Sequence, residues 1–306
     1  LDLGDPGYGT KTLDLAAGER PVIFGRQTAW WVMNDAGAPH AWSGNEPIGI
    51  EIRGTAWVGG GNDEPELYHS TFYRYEVINR ASAPIEDTFL GLYVDADLGN
   101  FSDDYIGTDS TRSMLVFYNG DSEDEGANGY GVPPALGVDL LSGAWAAMNL
   151  LKGGARGTPS NGWEAYGYMQ ALWKDGTPLK EGSDGYSTNG PRTLWGFPGD
   201  PTTQAFWSET NTDGQGTPMI PSSRWGMISA RLDRLEPGGH KTVDVGLLFA
   251  QGTDRFDSII ELRRTSDNAQ ALYDAGALTD RIAEPPAPTG RPVLVSPADG
   301  ATVGDP

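Results

Sequence analysis

The feature that most constrains the fold is the spacing of short apolar stretches between turn-forming residues. The stretches 48–58, 67–79 and 225–232 are rich in Ile, Val, Tyr, Phe and Trp, which favour strands. Within 67–79, apolar residues alternate with Arg74 and Glu76, as is typical of a strand with one solvated face. The 43 glycines and 22 prolines supply many turns. The sequence therefore predicts a mainly β protein, an antiparallel β-sandwich of jelly-roll or immunoglobulin-like type, with long loops and one or two short helices.

Changes in composition along the chain predict its domain organisation. Helical spacing of apolar residues predicts a helical insert near 160–174 and a C-terminal helix near 254–275, which we expect to pack across one end of the sheets. Proline-rich sequence cannot join a packed core, so it marks a linker. The predicted segments are an irregular leader or edge strand (1–20), the β-sandwich domain (21–283), the proline-rich linker (284–292), and the start of an immunoglobulin- or fibronectin-like module or an extended tail (293–306).

Charge and the absence of cysteine exclude several function classes. The formal net charge of -21 repels a phosphate backbone and an anionic membrane surface, so nucleic acid is not an expected partner. No apolar run is long enough to span a bilayer, and membrane insertion is not expected. Without cysteine the chain has no disulfides and no thiolate metal ligands. The excess of carboxylates instead favours hard cations, which prefer oxygen ligands.

The strongest local signal is a segment with five aspartates within the fifteen residues 95–109, directly after an apolar stretch. Closely spaced carboxylates repel one another unless a cation neutralises them, and calcium best suits ligands that are all oxygen. The segment is not an EF-hand, because its fifth position is Gly99 and its twelfth is Ile106. A solvated loop whose aspartates cap turns is the alternative.

A second acidic segment, 119–128, follows the next apolar stretch and could complete the first site or hold another ion. The sequence therefore predicts a structural calcium ion as the cofactor, with candidate ligands drawn from both segments: Asp95, Asp97, Asn100, Asp103, Asp104, Asp109, Asn119, Asp121 and Asp124.

Tryptophans in loop-like sequence are candidates for ligand binding. Trp163, Trp173, Trp195 and Trp207 could form a platform on which a carbohydrate stacks, or they could belong to the core, which is the more common role of an aromatic residue.

Templates for catalysis mostly fail, and no catalytic residue is predicted. His40, His69 and His240 are the only histidines, and none has the spacing of a zinc protease. Gly120-Asp121-Ser122 is not followed late in the chain by the Asp-x-x-His pair that esterases of that type need. Hydrolysis of a glycoside by two carboxylates remains an alternative, because their separation in space cannot be read from the sequence.

Several strings taken together resemble one group of proteins. They include QTAWW (27–31), PIGIEI (47–52), TFYRYEVINR (71–80), GLYVDADLG (91–99) and GYGVPP (129–134). With them, roughly residues 25–290 resemble large secreted surface proteins of Bacteroidota- and Rhodothermota-type bacteria that are exported by the type IX secretion system.

The resemblance implies location and architecture more than activity. It implies a secreted protein at the cell surface, in which this region is followed by immunoglobulin-like modules, and it supplies no catalytic residues. We therefore expect a non-enzymatic extracellular structural or adhesive domain, stabilised by calcium, or a subunit of a surface assembly or filament. Its expected partners are copies of itself, other cell-surface proteins or glycans. A carbohydrate-binding module is the first alternative, and a glycan hydrolase is the second.

Overall fold

A computed structural model describes residues 23–25, 27–37, 40–59, 67–126, 129–151 and 153–279. The described residues from 24 onward belong to one compact unit, which contains every element named below. The predicted leader, proline-rich linker and terminal module lie outside the described residues.

The described residues form ten strands, numbered along the chain: β1 (Thr28–Asn34), β2 (Ile50–Val58), β3 (Thr71–Asn79), β4 (Ile85–Asp95), β5 (Asp104–Asp109), β6 (Met114–Asn119), β7 (Ala135–Asp139), β8 (Ala146–Leu150), β9 (Trp225–Leu235) and β10 (His240–Ala250). A larger sheet has the order β1-β2-β3-β10-β7-β6-β5, and a smaller sheet has the order β4-β9-β8. All paired strands are antiparallel. The prediction of a mainly β, antiparallel sandwich with long loops and few helices is confirmed.

The main core lies between the two sheets. Alternate residues of each strand face it, because successive side chains of a strand point to opposite faces. Leu115 and Phe117 of β6 and Ile228 of β9 are completely buried there, with Val243 and Val245 of β10 beside them. Each such side chain contributes roughly 1.5–3 kcal/mol by leaving water, so this layer fixes how the sheets face each other.

Two helices complete the fold. Helix α2 (Arg255–Asp274) begins at Asp254, whose carboxylate caps the first turn. It buries Ile259 and Leu262 against the outer face of the larger sheet, on the side opposite the smaller sheet. The expectation that it packs across one end of the sheets is therefore wrong, because the outer face of β6, β7 and β10 is also apolar and needs a cover. No described helix is both long and apolar enough to cross a membrane.

Helix α1 (Gly162–Tyr168) lies within the predicted helical insert but ends earlier than its apolar spacing suggests. The chain turns at Ala171, which has a φ of 55°. Such a left-handed conformation stops a helix. Trp173 therefore lies beyond the helix, in the aromatic core of the long connection between β8 and β9.

This long connection, residues 151–224, closes one side of the sandwich. Along β8, the amide of Ala147 donates to the carbonyl of Leu194 (3.0 Å), and the amide of Gly196 donates to the carbonyl of Ala147 (2.8 Å). The outward amide and carbonyl of Ala147 are thereby satisfied, and the connection covers this part of the edge of β8.

The same connection also covers β5, the edge strand of the larger sheet. The amide of Thr108 donates to the carbonyl of Phe197 (3.2 Å), and the amide of Ile106 donates to the carboxylate of Glu209 (3.1 Å). Glu209 is held in place by Arg224 at 2.9 Å, and both side chains are almost completely buried. A side chain thus completes the hydrogen bonding of a strand edge.

Candidate functional site

The first acidic segment forms a crossover, residues 96–103, that carries the chain from the smaller sheet to the larger one. β4 ends at Asp95 and β5 begins at Asp104. Leu98 is buried between the sheets, whereas Asp95 and Asp97 are exposed. The acidic crossover is thus anchored by apolar side chains while alternate aspartates face solvent.

Asp124 joins the second acidic segment to the acidic crossover. It is buried, and its two carboxylate oxygens accept hydrogen bonds from the amides of Asn100 and Tyr130, both at 2.9 Å. Gly99 makes this approach possible, because its φ is 68° and a Cβ there would lie 1.9 Å from Asp124 Oδ2. The structure therefore brings the two predicted acidic segments together.

Asp103 and Asp104 lie beside this contact and have unsatisfied carboxylate oxygens. Asp104 is completely buried, and its Oδ2 accepts from the amide of Leu98 at 3.2 Å. Asp104 Oδ1 and both oxygens of Asp103 are buried without a hydrogen-bond partner among the described residues. Buried polar atoms in native proteins nearly always have partners, so three orphaned oxygens in adjacent residues require an explanation.

Burial and neighbouring charges raise the pKa values of these two carboxyl groups. Burial is the largest cause of the rise in the pKa of Asp104 to about 8, and the charges of Asp103, Asp124 and Asp97 add to it. Burial is also the largest cause of the rise in the pKa of Asp103, and the charges of Asp124 and Glu125 add to it, while the neighbouring amide side chain of Asn119 opposes the rise. Either a bound proton or a bound cation would relieve this repulsion.

Asn119, the β6 residue paired with Asp104, makes a local turn. Its side-chain oxygen accepts from the amide of Asp121 at 2.9 Å, and its Nδ2 is buried without a partner in the described part of the chain. Asp121 in turn accepts from the amide of Glu123, and Asn100 accepts from the amide of Ser102. At these three candidate ligands the structure has the turn-capping contacts that the alternative interpretation expects.

The described aspartates and histidines do not form a ready-made metal centre. Among these residues no group of three or more His, Asp or Glu side chains has an arrangement that could hold a metal ion. Calcium takes six to eight oxygen ligands, and the three orphaned oxygens supply only part of such a set. Their chemistry fits a hard cation, but waters or further oxygens would have to complete its coordination.

Asp109 lies away from this group. It is at the other end of β5 from Asp104, about 17 Å away at the usual rise of an antiparallel strand. Its carboxylate pairs with Arg112 at 2.9 Å and lies 3.7 Å from Arg263 of α2. The two aspartates of one strand therefore cannot share an ion.

The four candidate tryptophans have different environments. Trp173 and Trp207 are buried, and their indole N–H groups donate to the carbonyls of Gly185 and Ser183. Trp195 is partly buried against the main core. Trp163 alone of the four is largely exposed, at 79%. A platform made of all four is thus not present, since core packing accounts for Trp173 and Trp207.

Two shallow cavities lie in the long connection. One, of about 490 Å³, has Glu181, Phe206, Trp207 and Asp213 in its lining. Hydrogen bonds from the side chain of Thr217 and the amide of Gln215 lower the pKa of Asp213. This carboxylate therefore stabilises a local turn. The other cavity, of about 320 Å³, lies beside Trp163 and α1.

Sequence reasoning missed the buried pair Glu209–Arg224. Fifteen residues separate the two in the chain, and nothing in their spacing marks them as partners. The only usable signal is that an arginine directly precedes a predicted strand, which is too common to be specific.

The fold and these contacts define a class only: an antiparallel β-sandwich with an acidic, partly unsatisfied crossover between its sheets. No protein-family model matches the chain, and no curated protein matches it either.

Proposed function

We propose that this chain is a non-enzymatic extracellular structural or adhesive domain whose acidic crossover is stabilised by calcium at Asp103 and Asp104. The observation that carries the proposal is the set of three buried carboxylate oxygens without a hydrogen-bond partner among the described residues. The resemblance to secreted surface proteins supports the extracellular location, where calcium is abundant enough for weak sites to be filled.

Calcium suits this group better than other metals for two reasons. The orphaned atoms are all carboxylate oxygens, which favour hard cations over zinc or copper. Calcium also tolerates irregular coordination completed by water, whereas magnesium demands near-ideal octahedral geometry. When bound, the ion would neutralise the negative charges of Asp103, Asp104 and Asp124. It would also join the crossover to β5.

The test is thermal unfolding in calcium and in chelator. A ligand that binds only the folded state at one hundred times its Kd adds about 2.7 kcal/mol. For a domain of this size this corresponds to a rise in Tm on the order of 5–10 °C. We expect Asp104→Asn to abolish this calcium-dependent increment. The increment is the readout, because Asp104→Asn also removes a buried charge and could raise the Tm in chelator.

Asp139→Asn is the matched control. Asp139 is another completely buried aspartate with one orphaned oxygen, but it lies at the end of β7 under α2. This variant should keep the calcium increment of the natural sequence. Identical melting curves of the natural protein in calcium and in chelator would contradict the proposal.

Carbohydrate binding is the second candidate function, and the exposure of Trp163 beside the 320 Å³ cavity favours it. An exposed indole next to a cavity could stack on a sugar ring. Screening on a glycan array should then give a signal that Trp163→Ala removes. The same signal after this substitution would place binding elsewhere, and no signal from the natural protein would argue against this candidate.

A further inference from the structure

Strand β1 has a row of backbone groups that point away from its sheet. The amide of Val58 donates to the carbonyl of Gln27, and the amide of Asp35 donates to the carbonyl of Ile50. Hydrogen-bonded pairs alternate along an antiparallel ladder, so the odd-numbered residues of β1 bond to β2. The amide and carbonyl groups of the even-numbered residues therefore face outward: Thr28, Trp30, Val32 and Asn34.

The other three sheet edges of the described unit are protected. β5 and β8 are capped by the long connection. β4 is protected at its two ends: it has register shifts between Ile85 and Phe89, with the charged residues Glu86 and Asp87 within them, and its last residue is the exposed Asp95. Bulges and charges on an edge strand prevent pairing with another chain.

Within the part of the chain that the structure describes, β1 has none of these protections. It pairs with β2 over seven consecutive residues without a register shift, and it contains no charged residue and no proline. Its large exposed side chains are apolar, with the polar Asn34 exposed at its end: Trp30 is 63% exposed, Val32 43% and Met33 45%. A regular apolar edge of this length is a template for adding a strand.

The side chain of Trp31 does not cover the outward edge of β1. Its indole lies over Gly54 of β2, where an added Cβ would be 2.1 Å from the ring, and it meets Tyr75 edge-on at 6.3 Å between centroids. The largest side chain on the inner face of β1 is thus turned toward the sheet interior, and a second strand could approach without displacing it.

We propose that β1 pairs antiparallel with β1 of a second copy of this chain, about a two-fold axis through Trp31. This register places the outward-facing residues of the two strands opposite one another, as hydrogen-bonded pairs require. The resulting pairs are Thr28 with Asn34, Ala29 with Met33, Trp30 with Val32, and Trp31 with its own counterpart. On the outer face, exposed Trp30 of each copy packs beside exposed Val32 of the other.

β1 carries no charge that would repel a second copy, and in the register above it is complementary to itself. Two copies of a chain with a net charge of -21 repel each other, and they can approach most closely where neither carries a charge. β1 is such a place. The next residue, Asp35, directs its carboxylate inward to the amides of Ile48, Gly49 and Ile50.

This inference rests on the proposed structural role, since it names the contact through which copies associate. A two-fold contact uses the same surface on both copies and closes as a dimer. A filament would therefore need a second, different contact.

Disulfide trapping tests the register directly, because the natural chain has no cysteine. In the proposed pairing, residues 29 and 33 of the two copies form non-hydrogen-bonded pairs with Cα atoms about 4.5 Å apart, which suits a disulfide. The double variant Ala29→Cys/Met33→Cys should form a covalent dimer under mild oxidation. Ala29→Cys alone and Met33→Cys alone should form far less, but a mixture of the two single variants should cross-link.

A proline variant tests the ladder without engineered cysteines. The amide of Val32 points away from β2, so Val32→Pro should leave β1 in its sheet while removing a hydrogen bond from the dimer. Light scattering should show a dimer for the natural chain and for Val32→Thr, and a monomer for Val32→Pro. A natural chain that stays monomeric would overturn the proposal, and this includes the case in which another segment of the same chain occupies the edge. A dimer that survives Val32→Pro, or cross-linking no greater than in the single variants, would also overturn it.

Both measurements are made in calcium and in chelator. A dimer that forms equally in both, without any calcium-dependent change in Tm, would remove the calcium proposal and leave this one standing. A chain that stays monomeric but has a calcium-dependent rise in Tm would remove this inference and leave the calcium proposal standing.

Discussion

The two edge strands of the larger sheet differ in whether other residues cover their outward backbone groups. β5 is covered along its length by the long connection, in which Phe197, Glu209 and Ser222 bond to the amides of Thr108 and Ile106 and to the carbonyl of Asp104. β1 has no such cover among the described residues and presents an uncharged apolar edge. A sheet edge is paired with another strand, covered, or protected by charges and bulges. We infer that the edge of β5 is covered within one chain and that the edge of β1 is available to a second chain.

The two sides of the larger sheet also differ in their titratable side chains. The covered side holds the completely buried acidic residues Asp104, Asp139 and Glu209. β1 contains no titratable side chain. Titration of these groups should therefore change the stability of the covered side, whereas it should act on association through β1 only by way of the net charge of the two copies.

The largest effect is expected from opening the covered edge at Arg224. Arg224→Ala leaves Glu209 buried without its partner at 2.9 Å and weakens the acceptor that serves the amide of Ile106. Removing one member of a buried ion pair costs about 3–5 kcal/mol. Unfolding in denaturant should show this loss in the free energy of unfolding.

The double variant Glu209→Gln/Arg224→Met is the control, since it removes both charges and should recover much of the loss. A loss below about 1 kcal/mol for Arg224→Ala, a value typical of a surface pair, would show that the cap on β5 is not closed as described.

A smaller effect is expected from the titration of Asp139. Burial is the main cause that raises the pKa of Asp139 to about 7, with Asp109 and Asp267 adding to the rise and Ser266 and Arg112 opposing it. In the unfolded chain its pKa is about 3.9. Between these values the folded state holds a proton that the unfolded state releases, so the free energy of unfolding falls as pH rises from about 4 to 7.

The slope from one such proton is at most about 1.4 kcal/mol per pH unit. Measuring the free energy of unfolding against pH for the natural chain and for Asp139→Asn isolates it, because the variant has no proton to lose. The difference between the two should change with pH in this window and level off outside it. Parallel curves would contradict the raised pKa.

The sequence predicted the strands better than it predicted what covers them. Alternating residues such as those of β3 identify a strand because each one is buried or exposed locally. The role of residues 181–216 depends instead on backbone groups that meet β5 and β8, and backbone groups leave no trace in residue type. The sequence therefore predicted long loops only, while the structure shows that this region caps two edges.

The acidic segments illustrate the same limit. Their composition predicted a shared environment, and Asp124 does contact the acidic crossover at Asn100. The sequence could not separate Asp104 from Asp109, because both belong to one dense run and only the length of β5 places them at opposite ends. Nor could it show that Trp173 and Trp207 belong to a loop-built core.

The smallest effect on stability is expected at the open edge itself. Trp30 and Trp57 lie on the same face of adjacent strands, but Trp30 is 63% exposed and Trp57 only 2%. Trp57→Ala should therefore cost about 3–5 kcal/mol, whereas Trp30→Ser should change the free energy of unfolding by no more than about 0.5 kcal/mol. Unfolding is measured at a protein concentration low enough for the chain to be monomeric, so that association does not add to stability. At higher concentration Trp30→Ser should weaken the dimer. If instead it destabilised the monomer as much as Trp57→Ala does, Trp30 would be covered within one chain, and β1 would be a closed edge like β5.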